Sequence, residues 1–86
     1  MTFKLLISAK AKKQVKLIKK FHHKQAMREI FGEIKEEPLI GKPLGDELSG
    51  EYSYKMGVYR ILYIINWKDK TITIMTAGHR ETVYQK

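Results

Sequence analysis

Lys55 and Arg60 flank the segment Met56-Gly57-Val58-Tyr59. Gly57 suits the first central position of a type II′ turn, which joins two strands through two residues. A Gly57-Val58 turn sets Met56 opposite Tyr59, Lys55 opposite Arg60 and Ser53 opposite Leu62. Two cations then share one face of a sheet, an arrangement that costs stability. A chain that keeps it has a use for it, and holding an anion is the use that fits; two side chains splaying into solvent fit the same residues. A second group is His79, Arg80 and Tyr84, within six residues near the C-terminus. A guanidinium matches phosphate oxygens two at a time, and a phenol can stack on a base. Such a group could bind and cleave a phosphodiester. It also fits a surface histidine and a half-buried tyrosine.

Other chemistries find no support. Cysteine is absent, so there is no disulfide framework, thiolate zinc site or thiol catalyst. His22 and His23 are adjacent, lack metal-ligand spacing and read as turn residues. No metal site is expected. Phosphate-loop, dinucleotide and serine-hydrolase signatures are missing as well.

The positioning elements must come from 86 residues, which suffice for one domain, 1–86, with a small core. Hydrophobic residues make up 43% and charged residues 30%, a balance that folds. The net charge is +8 and the pI 9.8, in the range of nucleic-acid-binding domains. Residues 1–28 carry nine cations and no acid, 29–51 are net −5, and 52–86 are net +4. No apolar run is long enough for a signal peptide or a membrane span. The expectation is a small soluble cytoplasmic protein without membrane contact.

Phe3–Ile7 reads as a strand, and Ser8 as the cap of the helix that follows. From Ala9 to about Lys20, Ala11, Val15, Ile18 and Phe21 fall on helical spacing. Lys10, Lys12, Lys13, Lys16, Lys19 and Lys20 fill the rest of that surface. A second helix spans about Lys24–Glu36, with Met27, Ile30, Phe31 and Ile34 on one face. It stops before Pro38. Pro38 to Gly50 reads as a loop. Three strands follow, at Glu51–Met56, Tyr59–Trp67 and Thr71–Thr76, with a turn at Lys68-Asp69-Lys70 and a bend allowed by Gly78. The middle strand is apolar on both faces and so belongs inside the sheet. Tyr52, Tyr54, Ile61, Tyr63 and Ile65 should face the helices, with the tyrosines as packing groups. The fold class is α+β: an N-terminal strand, an antiparallel two-helix hairpin and a three-stranded meander in one mixed sheet, helices on one face.

The run from Leu48 to Tyr63, LSGEYSYKMGVYRILY, resembles the central hairpin of the RelE/ParE toxin superfamily. Gly78-His79-Arg80-Glu81-Thr82-Val83-Tyr84 resembles the C-terminal motif of its RelE-like members, and Phe3–Ala11 its opening strand and helix. The resemblance covers nearly the whole chain. It implies a RelE-like toxin of a type II toxin–antitoxin pair, an mRNA interferase that cleaves mRNA in the ribosomal A site without metal or other cofactor. It implies a RelB-like cognate antitoxin that wraps and silences the toxin, with operator DNA bound only by the toxin–antitoxin complex.

Carried over by motif, Arg60 binds the scissile phosphate, and Arg80 stabilises developing charge or protonates the leaving oxygen. Tyr84 stacks on or orients the nucleotide. Lys55 activates the 2′-hydroxyl or neutralises the transition state, and His79 is a helper. The six lysines of the first helix would clamp ribosomal RNA phosphates; a solvated helix face fits them equally. Ser53 departs from the family pattern, which often has a second basic residue there. Two alternatives stay open: a ParE-like inhibitor of DNA gyrase, and a toxin homologue that binds without cleaving.

Overall fold

Ser8 ends the first strand and starts the first helix with one side chain. Its Oγ accepts the Ala11 N–H at 3.0 Å, as an N-cap does, and donates to the Met75 carbonyl at 2.9 Å. The computed structural model describes residues 3–45 and 50–80. Its elements are β1 (Lys4–Ile7), α1 (Ala9–Lys16), α2 (Phe21–Glu36), a 3-10 turn (Pro38–Ile40), β2 (Lys42–Pro43), β3 (Glu51–Met56), β4 (Tyr59–Asn66) and β5 (Thr71–His79). The strands form one sheet in the order β1-β5-β4-β3-β2. β1 runs parallel to β5 and the other pairs are antiparallel, so the sheet is mixed as expected. β4, the strand apolar on both faces, lies in the centre.

Both helices cover one face. Ala11 and Val15 of α1, Ile18 just beyond it, and Met27, Phe31 and Ile34 of α2 are buried against Ile61, Tyr63, Ile65, Ile72, Ile74 and Ala77. Register puts those six sheet residues on the same side, through the pairs Ile65↔Ile72, Tyr63↔Ile74 and Ile61↔Ala77. Beyond Ile7, β1 no longer accompanies β5. There α1 takes over its edge: the Gln14 Oε1 accepts the Ala77 N–H at 2.8 Å.

Four boundaries differ from expectation. α1 stops at Lys16 and α2 starts at Phe21, so His22 and His23 lie in the first turn of α2 instead of a turn between helices. Phe21 consequently points away from the core, 74% exposed, and Leu17 is 68% exposed. The stretch from Pro38 is not all loop but holds the 3-10 turn and the edge strand β2. β5 does not end at Thr76; it runs through Gly78 to His79.

β2 exists because of Tyr63. The Tyr63 hydroxyl donates to the Pro38 carbonyl at 2.6 Å and accepts the Gly41 N–H at 3.0 Å. A Cβ at position 41 would fall on that hydroxyl and sit 3.0 Å from the Ser53 carbonyl oxygen, so only glycine fits. Gly41 thus carries the chain over the ring and delivers Lys42 and Pro43 to β3 in the pairs Lys42↔Ser53 and Pro43↔Tyr52.

Burial pushes the Tyr63 phenol up to about 12, helped by Tyr52 and Tyr54 and opposed by the Gly41 N–H. A pKa raised above the ordinary 10.0 means that this stabilisation is complete below pH 10 and is lost as pH rises through about 12. In an absorbance titration Tyr63 should ionise last, together with alkaline unfolding. Tyr63→Phe should remove that late phenolate. It should also lower stability at neutral pH by about 1–3 kcal/mol, because the Gly41 N–H loses its acceptor. An unchanged melting temperature would contradict the clamp.

Candidate functional site

The β3–β4 hairpin turns on Gly57, at φ 59°. Among the described non-glycine residues only Lys70 has positive φ, so the next position, Val58, does not. That is the type II′ signature. The register follows: Met56↔Tyr59, Lys55↔Arg60, Tyr54↔Ile61 and Ser53↔Leu62, as the sequence predicts. The pair flanking a two-residue turn exchanges the hydrogen bonds, so Lys55 and Arg60 form the closer, non-hydrogen-bonded pair, with Cα atoms about 4.5 Å apart. Alternation sends both side chains to the face that the helices leave open.

The repulsion is affordable. Like charges in such a pair cost about 0.2–1 kcal/mol. The next residue along, Ile61, is fully buried on the opposite face and alone contributes about 1.5–3 kcal/mol. The core therefore holds the hairpin in register against the charge.

A third cation joins the pair. Lys42 of β2 is the partner of Ser53, hence on the same open face, diagonal to Lys55. Lys42, Ser53, Lys55 and Arg60 line one groove of about 560 Å³, with Ile40 and Leu44 on its outer side. On the other flank of Arg60 stands Gly78 of β5, which has no side chain to crowd the guanidinium. Arg80 follows. Its N–H donates to the Val58 carbonyl at 2.7 Å, which fixes this exposed residue beside the hairpin tip.

His79 is set elsewhere. It pairs with Tyr59, and their rings meet edge-to-face at 6.1 Å on the helix side of the sheet. Tyr59 also meets His23, whose Nδ1 lies 3.2 Å from the Tyr59 hydroxyl, and His22 packs edge-on against His23. Desolvation, then the neighbouring His22 and Lys20, lower the His23 pKa. Among the described residues no group of histidines and carboxylates is placed to hold a metal.

Lys10, Lys12, Lys13, Lys16, Lys19 and Lys20 are all exposed, on α1 and the turn after it. Lys10, Lys12, Lys13 and Lys16 lie on α1, on the helix side of the sheet, whereas Lys19 and Lys20 line a cavity with Val58, Gly78 and His79 at the hairpin tip. Tyr84 lies outside the described residues. The structure thus brings Lys55 and Arg60 together with Arg80 close by, sets His79 on the other face, leaves the four α1 lysines away from the pair and brings Lys19 and Lys20 to the hairpin tip. Lys42 was missed in the sequence because two residues ending in proline make a weak strand signal. A signal was there: the residue before proline is held extended, and an extended Lys42 after a glycine can pair with a neighbouring strand.

The chain was compared with known proteins. A family model described as ParE toxin of type II toxin–antitoxin system, parDE, matches residues 5–84. Toxin RelG of Mycobacterium tuberculosis (strain ATCC 25618 / H37Rv) is 42% identical over 57 residues, 65% of this chain and 66% of the length of that relative. The toxin–antitoxin complex RelBE2 from Mycobacterium tuberculosis contains a chain 32% identical, with a TM-score of 0.80 over 93% of this chain and 100% of that one. The archaeal RelE–RelB complex from Pyrococcus horikoshii OT3 gives 26% identity and a TM-score of 0.82 over 96% of this chain and 100% of that one.

A charge swap tests the cation pair. Lys55→Glu should leave the fold as stable or raise it by about 0.2–1 kcal/mol, since it converts a like pair into an opposite one. Melting with and without pyrophosphate should show that the anion stabilises the wild-type protein and not the variant. A variant that melts lower yet still responds to pyrophosphate would refute the site.

Proposed function

Since the chain belongs to the RelE/ParE family of toxins of type II toxin–antitoxin systems, we propose that it is an endoribonuclease that cleaves mRNA in the ribosomal A site. The observation that carries this reading is the Lys55–Arg60 pair on the open face, with Arg80 tied to the tip of the same hairpin. In the reaction the substrate's own 2′-oxygen attacks the adjacent phosphorus. The 2′-O–P bond forms and the P–O5′ bond breaks. The 2′-hydroxyl proton leaves to solvent and a proton is returned to the 5′-oxygen, giving a 2′,3′-cyclic phosphate and a 5′-hydroxyl.

Negative charge builds on the phosphoryl oxygens along this path. What the protein must supply is positive charge fixed before the reaction starts. Arg60 fits the scissile phosphate, since its planar fork can hold two oxygens at once. Lys55, one strand over, adds charge to the same centre. Arg80 approaches from the hairpin tip, on the side where the leaving oxygen can lie. Tyr84, by its family motif, completes the set by stacking on the nucleotide. The lysines of α1, on the opposite side of the sheet, suit a second surface such as ribosomal RNA. A RelB-like antitoxin is the partner that would silence the toxin; the similar chains above belong to a RelBE2 toxin–antitoxin complex and a RelE–RelB complex.

Primer extension on mRNA in a translating extract tests the reading. The wild-type protein should produce new stops within A-site codons. Arg60→Ala and Arg80→Ala should each lower the cleavage rate by about 10²-fold or more, as loss of one transition-state donor does, without lowering the melting temperature. Intact mRNA would refute it. Because the matching family model carries the ParE name, a gyrase supercoiling assay is the paired measurement: inhibition there, with mRNA intact, would establish the second reading.

A further inference from the structure

We infer that Lys42 is a substrate-binding residue of the same groove, holding the phosphate next to the one that Arg60 holds; this rests on the nuclease reading above. The inference comes from register. β2, β3 and β4 are successive strands, and Lys42, Lys55 and Arg60 all face the open side. Lys55 and Arg60 are direct partners. Lys42 is level with Ser53, one strand further out and two residues back along β3 from Lys55. Lys42 and Lys55 are diagonal neighbours, about 7–8 Å apart, and Arg60 is one strand further off, so Lys42 does not crowd the Arg60 phosphate and is placed for the next one on a strand crossing the sheet.

Ser53 makes the room. It is only 8% exposed and has a short side chain, so it forms the floor of the groove between the three cations. The cation that this position of β3 lacks is supplied by its partner in β2. The site is also built from below. Gly41, pinned under the Tyr63 hydroxyl, fixes the backbone immediately before Lys42, and Pro43 immediately after it holds Lys42 extended. On the other side, the Leu44 N–H donates to the Glu51 carbonyl at 2.8 Å. A lysine needed only to protect a sheet edge from pairing would not require such anchoring, and a glutamate would serve as well.

A phosphate contact away from the reacting bond strengthens ground and transition states alike, so its loss raises the half-saturating concentration and spares the maximal rate. The experiment is single-turnover cleavage on programmed ribosomes with the full chain. Lys42→Ala should raise the half-saturating concentration about five-fold, leave the maximal rate within about two-fold and flatten the log–log salt dependence by about 0.7. Lys42→Glu should be worse than Lys42→Ala, and Lys42→Arg should match wild type. Lys42→Ala with Ser53→Lys should regain the lost affinity, because the new lysine can extend its stem along the groove floor to the same place.

Active wild type with Lys42→Ala and Lys42→Glu indistinguishable from it overturns the Lys42 assignment and leaves the nuclease reading standing. A fall in maximal rate at unchanged half-saturation also overturns it, since Lys42 would then act on the reacting centre. Wild type that leaves mRNA intact overturns both.

Discussion

A single buried phenol ties the helical layer to the rim of the open face. Tyr63 sits on the central strand, under α2 and its exit, and its hydroxyl bridges the Pro38 carbonyl and the Gly41 N–H. Both backbone groups belong to the chain leaving α2, where helix-end polar groups need partners. The bridge satisfies them and the hydroxyl together, and among the described residues no buried side-chain polar atom lacks a partner. It also sets the path of the chain. From Gly41 the backbone can only continue along β3, and that places Lys42 beside Ser53. The stacking of Tyr52 on Tyr63, with ring centroids 5.7 Å apart, holds the same spot from the neighbouring strand. An interaction on the helix side of the sheet therefore decides where a cation stands on the other side.

The sheet divides the molecule into two chemistries. One face is apolar and covered by α1 and α2; the other is uncovered by them and carries Lys42, Lys55 and Arg60. A positive charge of +8 on 86 residues would be a diffuse field if it were spread evenly. Here it is split, with the α1 lysines on one side and the groove cations on the other. The α1 set faces outward in a different direction and suits a partner large enough to reach round the domain. A field of this sign reaches both sides, while the groove holds its cations at fixed strand spacings.

Much of this was legible in the sequence because local rules agree there. Gly57 selects the turn, the turn fixes the register, and the register puts Lys55 against Arg60; nothing from elsewhere in the chain is needed. The helix faces through Ala11, Val15, Met27, Phe31 and Ile34 were legible for the same reason. The helix boundary was not. His22 and His23 are poor helix markers, yet they start α2, because His23 is held by Tyr59 from a strand 36 residues away. β2 was hard to read because its main cause is a tertiary hydrogen bond from Tyr63, and the one local signal, the extended backbone that Pro43 imposes on Lys42, is weak by itself.

The hardest feature to foresee is the face on which His79 and Arg80 fall. Along β5, Ile72 and Ile74 point to the core. Strict alternation from there would send Thr76, Gly78 and Arg80 inward and put His79 on the open face with Arg60. The pairing shifts between Leu62 and Tyr63: Tyr63 faces Ile74 but Leu62 faces Thr76, so Met75 is an extra residue. A bulge of one residue reverses every side chain beyond it. Ala77 and His79 turn to the helices, and Gly78 takes the place beside Arg60. The bulge is held where it matters, for the Met75 carbonyl accepts the Ser8 hydroxyl and the Ala77 N–H donates to Gln14. Two side chains of the first helix region thus decide that Gly78, and not Ala77, flanks Arg60, and that His79 leaves the open face. That leaves the flank of Arg60 without a side chain and lets His79 pack against Tyr59.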